Sequence, residues 1–402
     1  MDDSPAAAPG AIVSRVPDAA VHRRVVLFHV SVDWYFCLHW LPLAQAVQAA
    51  GYDVALMTST TDPELVTRIE SAGIRLHAIP LSRQGMRPLQ EWRSLSAILG
   101  VIREERPLLL HAIAQKPVLY GGLAARLGQA PVLVATLAGM GYVFTAETRL
   151  ARWLRTLVVF GYRRLLARAR VRVIVQNPED QAQLQHSAGL SAVLIRGAGV
   201  DLTRFRPQPP PAGQITIVLA SRMLWDKGVR EFVDAGRQLR ADGVDCRCVL
   251  VGKPDAGNPS AVPEQQLRQW HASGAIQWWG HQADMPAVLA RAHIVCLPSY
   301  REGLPTILIE AAAAGLPLVA TDVPGCREVV QPERNGLLVP PRDAVALARA
   351  LARLVRDASL RAAFGLESRR LAAAELGIDR VAQETLAVYR SLLAGTPGVS
   401  GR

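Results

Sequence analysis

Short apolar runs alternate with longer amphipathic stretches along most of the chain, and this alternation limits the possible folds more than any other feature. From residue 24 to residue 177 the apolar runs are RVVLFHV, DVALMTS, RLHAIPL, LLLHAIA, PVLVATL and VRVIVQN. The stretches between them have the length of helices, as in HWLPLAQAVQAAG, which Gly51 closes. This order predicts an α/β fold in which helices cover a parallel sheet.

A proline-rich segment, RPQPPPAGQ at 206–214, interrupts this pattern, and the same alternation then begins again. The apolar runs of the second half are ITIVLAS, CRCVLVG, IQWWG, HIVCLPS, LPLVAT and GLLVP. Two Rossmann-like domains joined by a linker explain the restart better than one large sheet. The predicted division is a disordered tail at 1–22, a first domain at 23–205, a linker at 206–213, a second domain at 214–376, a helix at 377–395 that packs back on the first domain, and a tail at 396–402.

The formal net charge is +11 at pH 7, and arginine supplies most of it. Such a charge favours anionic partners, namely nucleotides, phosphates, nucleic acid or an acidic membrane, although a genome rich in G and C would also raise the arginine content. The five cysteines are scattered without a CxxC pair, so the sequence indicates neither a zinc site nor a disulfide framework. No apolar run reaches the ~18 residues that span a bilayer, and the N-terminus lacks the apolar core of a signal peptide. We therefore expect a cytosolic protein.

Two glutamates, Glu302 and Glu310, stand eight positions apart in SYREGLPTILIEAAAAGLPLVATDVPG, which covers 299–325. This stretch follows the run HIVCLPS, so it lies at the carboxyl edge of the second sheet, where open α/β folds bind ligands. Gly303 allows close approach of a ligand, and Pro305 suits the first position of a helix whose free N–H groups would bind a diphosphate. Glu310 is placed to accept hydrogen bonds from ribose hydroxyls, and Glu302 from a sugar beyond the diphosphate.

Other nucleotide motifs are weak or absent. The segment GAGVDL at 197–202 has a lone GxG without the third glycine of a dinucleotide fingerprint, and the chain has no P-loop. A pair of glutamates near a helix start is usually structural, but the glycine and proline between these two make the pattern far more specific.

With these residues in place, the stretch resembles the glycosyltransferases of family 4, whose signature is two glutamates separated by seven residues with EGxP at the start. Glu302, Gly303, Pro305 and Glu310 match that signature, and the resemblance extends from about residue 24 to residue 392. It implies the GT-B fold, in which two Rossmann-like domains face each other across a cleft and a C-terminal helix returns to the first domain.

The resemblance also implies a set of donor residues. The segment ASRMLWDKGVREF at 220–232 resembles the phosphate clamp of the family, in which two cations neutralise the departing nucleoside diphosphate. Gly280 matches a family position beside the base, and IRGAGVD resembles the glycine turn before the linker, with Ala198 in place of the usual serine. The predicted donor-binding residues are Gly197, Gly280, Gly303, Leu304, Pro305 and Glu310, and the predicted catalytic residues are His111, Arg222, Lys227 and Glu302.

The segment SVDWYFCLHWLPLA resembles a bacterial subgroup that extends polyprenyl-diphosphate-linked sugars for O-antigen, capsule or glycan assembly. Asp33, Trp34, His39 and Pro42 match, whereas Trp40 stands where the subgroup has an arginine. HAIAQKPVLYGG and LAGMGYVFT resemble the same subgroup. The predicted acceptor-binding residues are Asp33, His39, Lys116, Gly139 and Tyr142, and either His39 or His111 would orient the acceptor.

The segment 149–173 carries eight arginines around an apolar stripe. It is either a helix that lies on an anionic membrane beside a lipid acceptor or a core helix with an exposed basic face. Arg83, Arg87, Trp92 and Arg93 would extend the same surface. The predicted location is therefore peripheral, on the cytoplasmic face of the inner membrane.

Family members retain the anomeric configuration, so the resemblance implies transfer on one face of the sugar, with the leaving diphosphate helping to take the acceptor proton. The chain has no DxD triplet, and we predict transfer without a metal or another cofactor. The expected partners are a UDP-sugar and a lipid-linked saccharide, without nucleic acid, because no nucleic-acid-binding module accompanies the basic charge. Two alternatives stay open: another GT-B enzyme, such as a nucleotide-sugar epimerase, and a non-catalytic nucleotide-sugar-binding scaffold on the membrane.

Overall fold

The structure of the protein, a computed structural model, describes residues 24–81, 88–130, 132–139, 149–255 and 257–394. The predicted tails, together with Arg83, Arg87 and Tyr142, lie outside these residues. No helix in the described ranges combines the length and the apolar character needed to cross a bilayer.

The first half of the chain forms a parallel sheet of seven strands in the order β3-β2-β1-β4-β5-β6-β7. The central strands are buried on both faces, which explains why their sequences are continuously apolar instead of alternating. The edge strand β7 was not predicted, because it has only three residues and its side chains are partly exposed. The strands are β1 (Val25–Val32), β2 (Asp53–Ser59), β3 (Arg75–Ala78), β4 (Leu109–Ile113), β5 (Leu133–Leu137), β6 (Val171–Val175) and β7 (Ala192–Leu194).

Seven helices of the described chain cover the two faces of this sheet. The sequence predicted one helix at HWLPLAQAVQAAG, but the structure divides this region between two helices that meet at Trp40. Pro42 has no backbone N–H group, so the hydrogen bonding of the first helix cannot continue through it. The helices are α1 (Asp33–His39), α2 (Leu41–Ala49), α3 (Pro63–Ser71), α4 (Pro88–Glu105), α5 (Gln115–Arg126), α6 (Arg149–Leu166) and α7 (Pro178–Ala188).

The second half forms a parallel sheet of six strands in the order β10-β9-β8-β11-β12-β13. Its strands are β8 (Ile215–Ala220), β9 (Cys246–Val251), β10 (Gln277–Trp278), β11 (Ile294–Leu297), β12 (Leu318–Thr321) and β13 (Gly336–Val339). Its helices are α8 (Val229–Ala241), α9 (Glu264–Ala272), α10 (Met285–Leu289), α11 (Thr306–Ala313), α12 (Pro324–Arg327), α13 (Ala344–Arg356) and α14 (Ala358–Leu371), with a 3₁₀ turn at Trp225–Lys227 and a π-helical turn at Ala372–Leu376.

The last helix, α15 (Ile378–Ala394), returns to the first sheet, as the sequence predicted. Its Tyr389 is fully buried in the core that the first sheet forms with α2. The returning chain crosses the glycine turn: the Val200 N–H donates to the carbonyl of Leu376 at 2.9 Å, and the Ile378 N–H donates to Val200 at 3.0 Å. A Cβ on Gly199 would lie 2.6 Å from the Cα of Ile378, so this crossing requires glycine.

Candidate active site

The loop 299–305 joins β11 to α11 at the carboxyl edge of the second sheet. Pro305 has extended backbone angles and caps α11, which begins at Thr306, one residue later than predicted. At the other end, Gly315 adopts a left-handed φ of 73° and closes the helix. The free N–H groups of the first turn and the positive end of the helix dipole therefore face the cleft, which is the arrangement that binds a diphosphate.

Lys227 and Glu302 form the central ion pair of this edge. The Nζ of Lys227 lies 2.5 Å from Oε1 of Glu302, and the Ser299 hydroxyl donates to the same oxygen at 2.6 Å. Both side chains are largely buried. Gly228 makes the approach possible, because a Cβ there would lie 2.0 Å from the carbonyl oxygen of Pro298. The hydrogen bonds that described residues donate to the Glu302 carboxylate go to its Oε1 atom, so its Oε2 atom can accept a hydrogen bond from a ligand hydroxyl.

Arg222 and His39 belong to different domains, and the charge of Arg222 acts on His39 across the cleft. Arg222 follows β8 and is half-exposed, and its guanidinium contacts Asp255 at 2.6 Å. His39 ends α1 of the first domain, and its Nδ1 lies 3.1 Å from the hydroxyl of Thr306. Burial, and secondarily the charge of Arg222, lower the pKa of His39 to about 4. His39 is therefore neutral at pH 7 and binds by hydrogen bonds.

Glu310 lies on α11 with a partly buried carboxyl group. Burial raises the pKa of Glu310 to about 8, and the charge of Arg204 opposes this only in part. No described side chain or N–H group donates a hydrogen bond to this carboxylate. A ligand that brings two hydroxyl groups would supply the missing hydrogen bonds and favour the ionised form.

Close contacts at three glycines hold the loop 299–305 between the two domains. A Cβ on Gly303 would lie 2.9 Å from the carbonyl oxygen of Ala138, and one on Gly139 would lie 3.2 Å from the Cα of Gly303. A Cβ on Gly197 would lie 2.6 Å from Leu304. The structure thus places Gly303 against the backbone of Ala138 and Gly139, and Gly197 against the side chain of Leu304.

Two predicted residues do not join this group. His111 is buried in the first core, where Nδ1 lies 2.6 Å from the hydroxyl of Tyr389 and Nε2 lies 2.7 Å from that of Thr136. Burial also lowers the pKa of His111 to about 3. Asp33 is fully buried and accepts hydrogen bonds from the loop after β2, including the Thr61 N–H and hydroxyl at 2.5 and 2.6 Å. This geometry favours structural roles for both.

Lys116 and Gly280 lie at other points of the two sheet edges. Lys116 is the second residue of α5 and pairs with Glu91 of α4 at 2.7 Å, while the Tyr120 hydroxyl also donates to Glu91. Gly280 follows β10, and its carbonyl accepts from the Gly252 N–H at 2.7 Å. Their predicted roles at the acceptor and the base stay predictions. Across the described ranges, no three His, Cys, Asp or Glu side chains group as metal ligands.

Sequence reasoning missed residues of the first domain that reach the loop. The Asn177 side-chain amide donates to the carbonyl of Gly303 at 3.0 Å, and Asp180 lies 3.4 Å from the guanidinium of Arg301. Asn177 directly precedes the helix-starting proline of α7, so its role as a helix cap was readable from the sequence. Its contact with Gly303 across the cleft could not be predicted, because that contact depends on how the two domains meet.

Comparison with protein families matches both halves of the chain. Residues 25–177 match the family described as glycosyl transferase 4-like, and residues 214–357 match glycosyl transferases group 1. The chain is a glycosyltransferase of family 4. Lys227 and Glu302 both lie in the second of these matched regions.

Curated relatives of this glycosyltransferase cover most of its length. The N,N'-diacetylbacillosaminyl-diphospho-undecaprenol alpha-1,3-N-acetylgalactosaminyltransferase of Campylobacter jejuni is 25% identical over 337 residues, which are 80% of this chain and 86% of the relative. The UDP-Gal:alpha-D-GlcNAc-diphosphoundecaprenol alpha-1,3-galactosyltransferase of Escherichia coli is 21% identical over 84% of this chain and 90% of the relative.

Solved structures share the fold of this glycosyltransferase. Sucrose-phosphate synthase from Thermosynechococcus elongatus aligns with a TM-score of 0.77 at 22% identity, over 93% of this chain and all of that one. HepE of Anabaena in complex with UDP and glucose aligns with a TM-score of 0.75 at 20% identity, over 92% of this chain and all of that one. The predicted GT-B fold is confirmed.

Proposed function

We propose that this glycosyltransferase moves a hexose or an N-acetylhexosamine from a UDP-sugar to a polyprenyl-diphosphate-linked saccharide in bacterial surface polysaccharide or glycan biosynthesis. The observation that carries the proposal is the Lys227–Glu302 pair beside the free N-terminus of α11, with His39 of the first domain facing it. The names of the relatives, which act on undecaprenol-linked sugars, support the acceptor class.

The donor occupies the carboxyl edge of the second sheet in this proposal. The diphosphate lies at the start of α11, where Lys227 and Arg222 offset its negative charge. Glu310 accepts hydrogen bonds from the two ribose hydroxyls. Oε2 of Glu302 accepts from a hydroxyl of the transferred sugar while Lys227 and Ser299 hold Oε1 in place.

The proposed reaction retains the anomeric configuration and needs no metal. The bond between the anomeric carbon and the diphosphate oxygen breaks, and the acceptor oxygen bonds to the same face of that carbon. The acceptor proton passes to the departing diphosphate oxygen. Lys227 and Arg222 stabilise the negative charge that grows on that oxygen, which is the role that positioned cations fill most effectively in a site shielded from water.

The acceptor approaches from the first domain, and α6 provides a surface for its membrane. Tyr162 and Leu166 on one side of α6 are buried against the sheet. On the other side Trp153, Leu157 and Phe160 are exposed at 60%, 46% and 56%. These three side chains follow helical spacing and lie in a segment rich in arginine, the pattern of a helix that lies in an anionic membrane surface.

Helix α4 enlarges this surface. Its Leu89 and Trp92 are exposed at 81% and 69%. Both α4 and α6 flank α5 on the same face of the first sheet, and all three helices begin at the carboxyl edge that faces the cleft. Leu89 and Trp92 near the start of α4 and Trp153 near the start of α6 therefore lie toward the cleft, where a lipid-linked acceptor would enter. We accordingly propose a peripheral location on the cytoplasmic face of the inner membrane.

The donor is tested with a panel of UDP-, GDP- and ADP-sugars, read by calorimetry and by consumption with and without membrane extract. We expect one UDP-sugar to bind and to be consumed only when lipid extract is present. Consumption without lipid would instead indicate an epimerase or a water-soluble acceptor, and no binding of any donor would indicate a non-catalytic scaffold.

The membrane surface is tested by flotation with vesicles that contain about 30% phosphatidylglycerol, against vesicles of phosphatidylcholine alone. Trp153→Glu combined with Phe160→Glu should lower the bound fraction on anionic vesicles at least about tenfold, because two apolar anchors are lost. Leu366→Glu is the matched control, since Leu366 is 76% exposed but lies on α14 of the second domain. Equal binding by the wild type and the double variant would refute this surface.

A further inference from the structure

The loop 299–305 is held from both domains at once. From its own domain, Lys227 and Ser299 contact the carboxylate of Glu302, and the Gly325 N–H donates to the carbonyl of Glu302 at 3.2 Å. From the first domain, two side chains of the α7 start reach the residues on either side of Glu302. The position of this glutamate therefore depends on contacts that exist only when the domains are together.

Asn177 provides the first of these contacts. Its Oδ1 accepts from the Asp180 N–H at 2.7 Å and caps α7, while its Nδ2 donates to the carbonyl of Gly303 at 3.0 Å and to the Asp180 carboxylate at 2.9 Å. Asn177 is almost fully buried. A helix cap needs only an acceptor oxygen, so the Nδ2 group has a purpose beyond capping.

Arg301 and Asp180 provide the second contact. The Asp180 side chain is only 3% exposed, and Nη2 of Arg301 lies 3.4 Å from its Oδ1. A buried carboxylate is costly without a cation, so this pair ties the first domain to the residue that precedes Glu302. Arg301 directly precedes the EGxP signature, and no role was predicted for it from the sequence.

We propose that Asn177, Asp180 and Arg301 are positioning residues that set the geometry of Glu302 when the two domains close. The catalytic role given to Glu302 rests on the proposed function, whereas the contacts of Asn177, Asp180 and Arg301 do not. In an open state the two contacts of the α7 start break together, whereas Lys227 and Ser299 still hold the carboxylate. Glu302 then keeps its ion pair but loses the backbone restraint on both of its neighbours.

The test uses variants that separate this coupling from the cap and from the domain interface in general. Asn177→Ser keeps a capping oxygen and removes the Nδ2 donor, and Arg301→Gln removes the cation. Arg301→Lys keeps a cation and should restore the wild-type behaviour. The matched control is Glu179→Gln, because Glu179 of α7 also crosses the interface, to Arg327, through an exposed ion pair that does not touch the loop.

The first readout is hydrogen exchange of the Gly325 amide, which reports the Glu302 carbonyl and needs no ligand. We expect exchange about tenfold faster in Asn177→Ser and in Arg301→Gln, and within about threefold of wild type in Arg301→Lys and in Glu179→Gln. Unchanged exchange in the first two variants would overturn the proposal. So would equal acceleration in the Glu179→Gln control, because the effect would then be general loosening of the interface.

The second readout separates positioning from stability. UDP binds mainly to the second domain, so its Kd by calorimetry should stay within about threefold of wild type, whereas turnover of the UDP-sugar should fall at least about tenfold in Asn177→Ser. Parallel losses of binding and turnover would contradict the proposal. If UDP does not bind at all, the proposed function fails, while the exchange measurement still decides the coupling.

Discussion

Glu310→Gln is the substitution that tests the donor site most sharply, because it should stabilise the empty protein and weaken the bound one. The carboxyl group of Glu310 is partly buried without a described donor, and burial raises its pKa from 4.5 to about 8. A protein that keeps such a group gives up stability for the sake of a ligand. Glutamine has the same shape and stays neutral.

The sign and size of the effect follow from linkage. The folded pKa lies above the unfolded value, so the folded protein binds the proton more tightly than the unfolded chain. The stabilisation that the folded protein gains by binding this proton is fully present below pH 4.5 and is lost as the pH rises through 8. Between pH 5 and pH 9 the wild type should lose up to about 4 kcal/mol of unfolding free energy that Glu310→Gln does not lose.

The assay is urea unfolding of the two proteins at pH 5, 7 and 9, so that all other titrating groups cancel in the difference. We expect the unfolding free energy of the variant to increase relative to that of the wild type as the pH rises. A difference that does not change with pH, or that changes in the opposite direction, would refute the argument. In binding, the wild-type affinity for the UDP-sugar should rise about tenfold between pH 7 and pH 9, because the ligand favours the ionised carboxylate, and this rise should be absent in the variant.

Three further substitutions test separate parts of the site. Glu302→Ala should lower turnover of the UDP-sugar more than its binding affinity, as measured by separate kcat and Kd values; equal losses would contradict a role at the transferred sugar. Gly303→Ala should lower transfer without changing the circular dichroism spectrum, because its Cβ would lie 2.9 Å from the carbonyl oxygen of Ala138. Tyr389→Phe should cost about 1–2 kcal/mol of unfolding free energy by removing a buried partner of His111, yet leave kcat unchanged; a loss of kcat would restore a catalytic role for His111.

The fold and the donor edge could be predicted because they depend on local patterns. Buried parallel strands are continuous apolar runs, and the EGLP segment follows one of them directly, so Glu302 and Glu310 fall at the sheet edge by chain order alone. Among the described residues the one strand that was missed, β7, is too short and too exposed to give such a run. Lys227 was predicted from the resemblance of its segment to the phosphate clamp of the family, and Gly228 beside it makes a contact that no other residue allows.

The first domain was harder to predict. Its polar residues lie in or directly after strands that end at the cleft, but they differ in how deeply the fold buries them. His111 lies within β4, where Tyr389 of the last helix covers it, and that partner is 278 positions away. Asp33 closes a loop that begins after the neighbouring strand. Neither contact leaves a local signal. The same applies to Asn177, whose contact with Gly303 exists only because the two domains meet.

The most direct test of the account is to isolate the product. The protein is incubated with the UDP-sugar selected by the donor panel and with a polyprenyl-diphosphate-linked saccharide, and the lipid fraction is analysed by mass spectrometry and by NMR of the new anomeric proton. The account predicts one added sugar on the lipid-linked saccharide, with the anomeric configuration of the donor, and with UDP released in equal amount. Free sugar without a lipid product, or a product with inverted configuration, would contradict it.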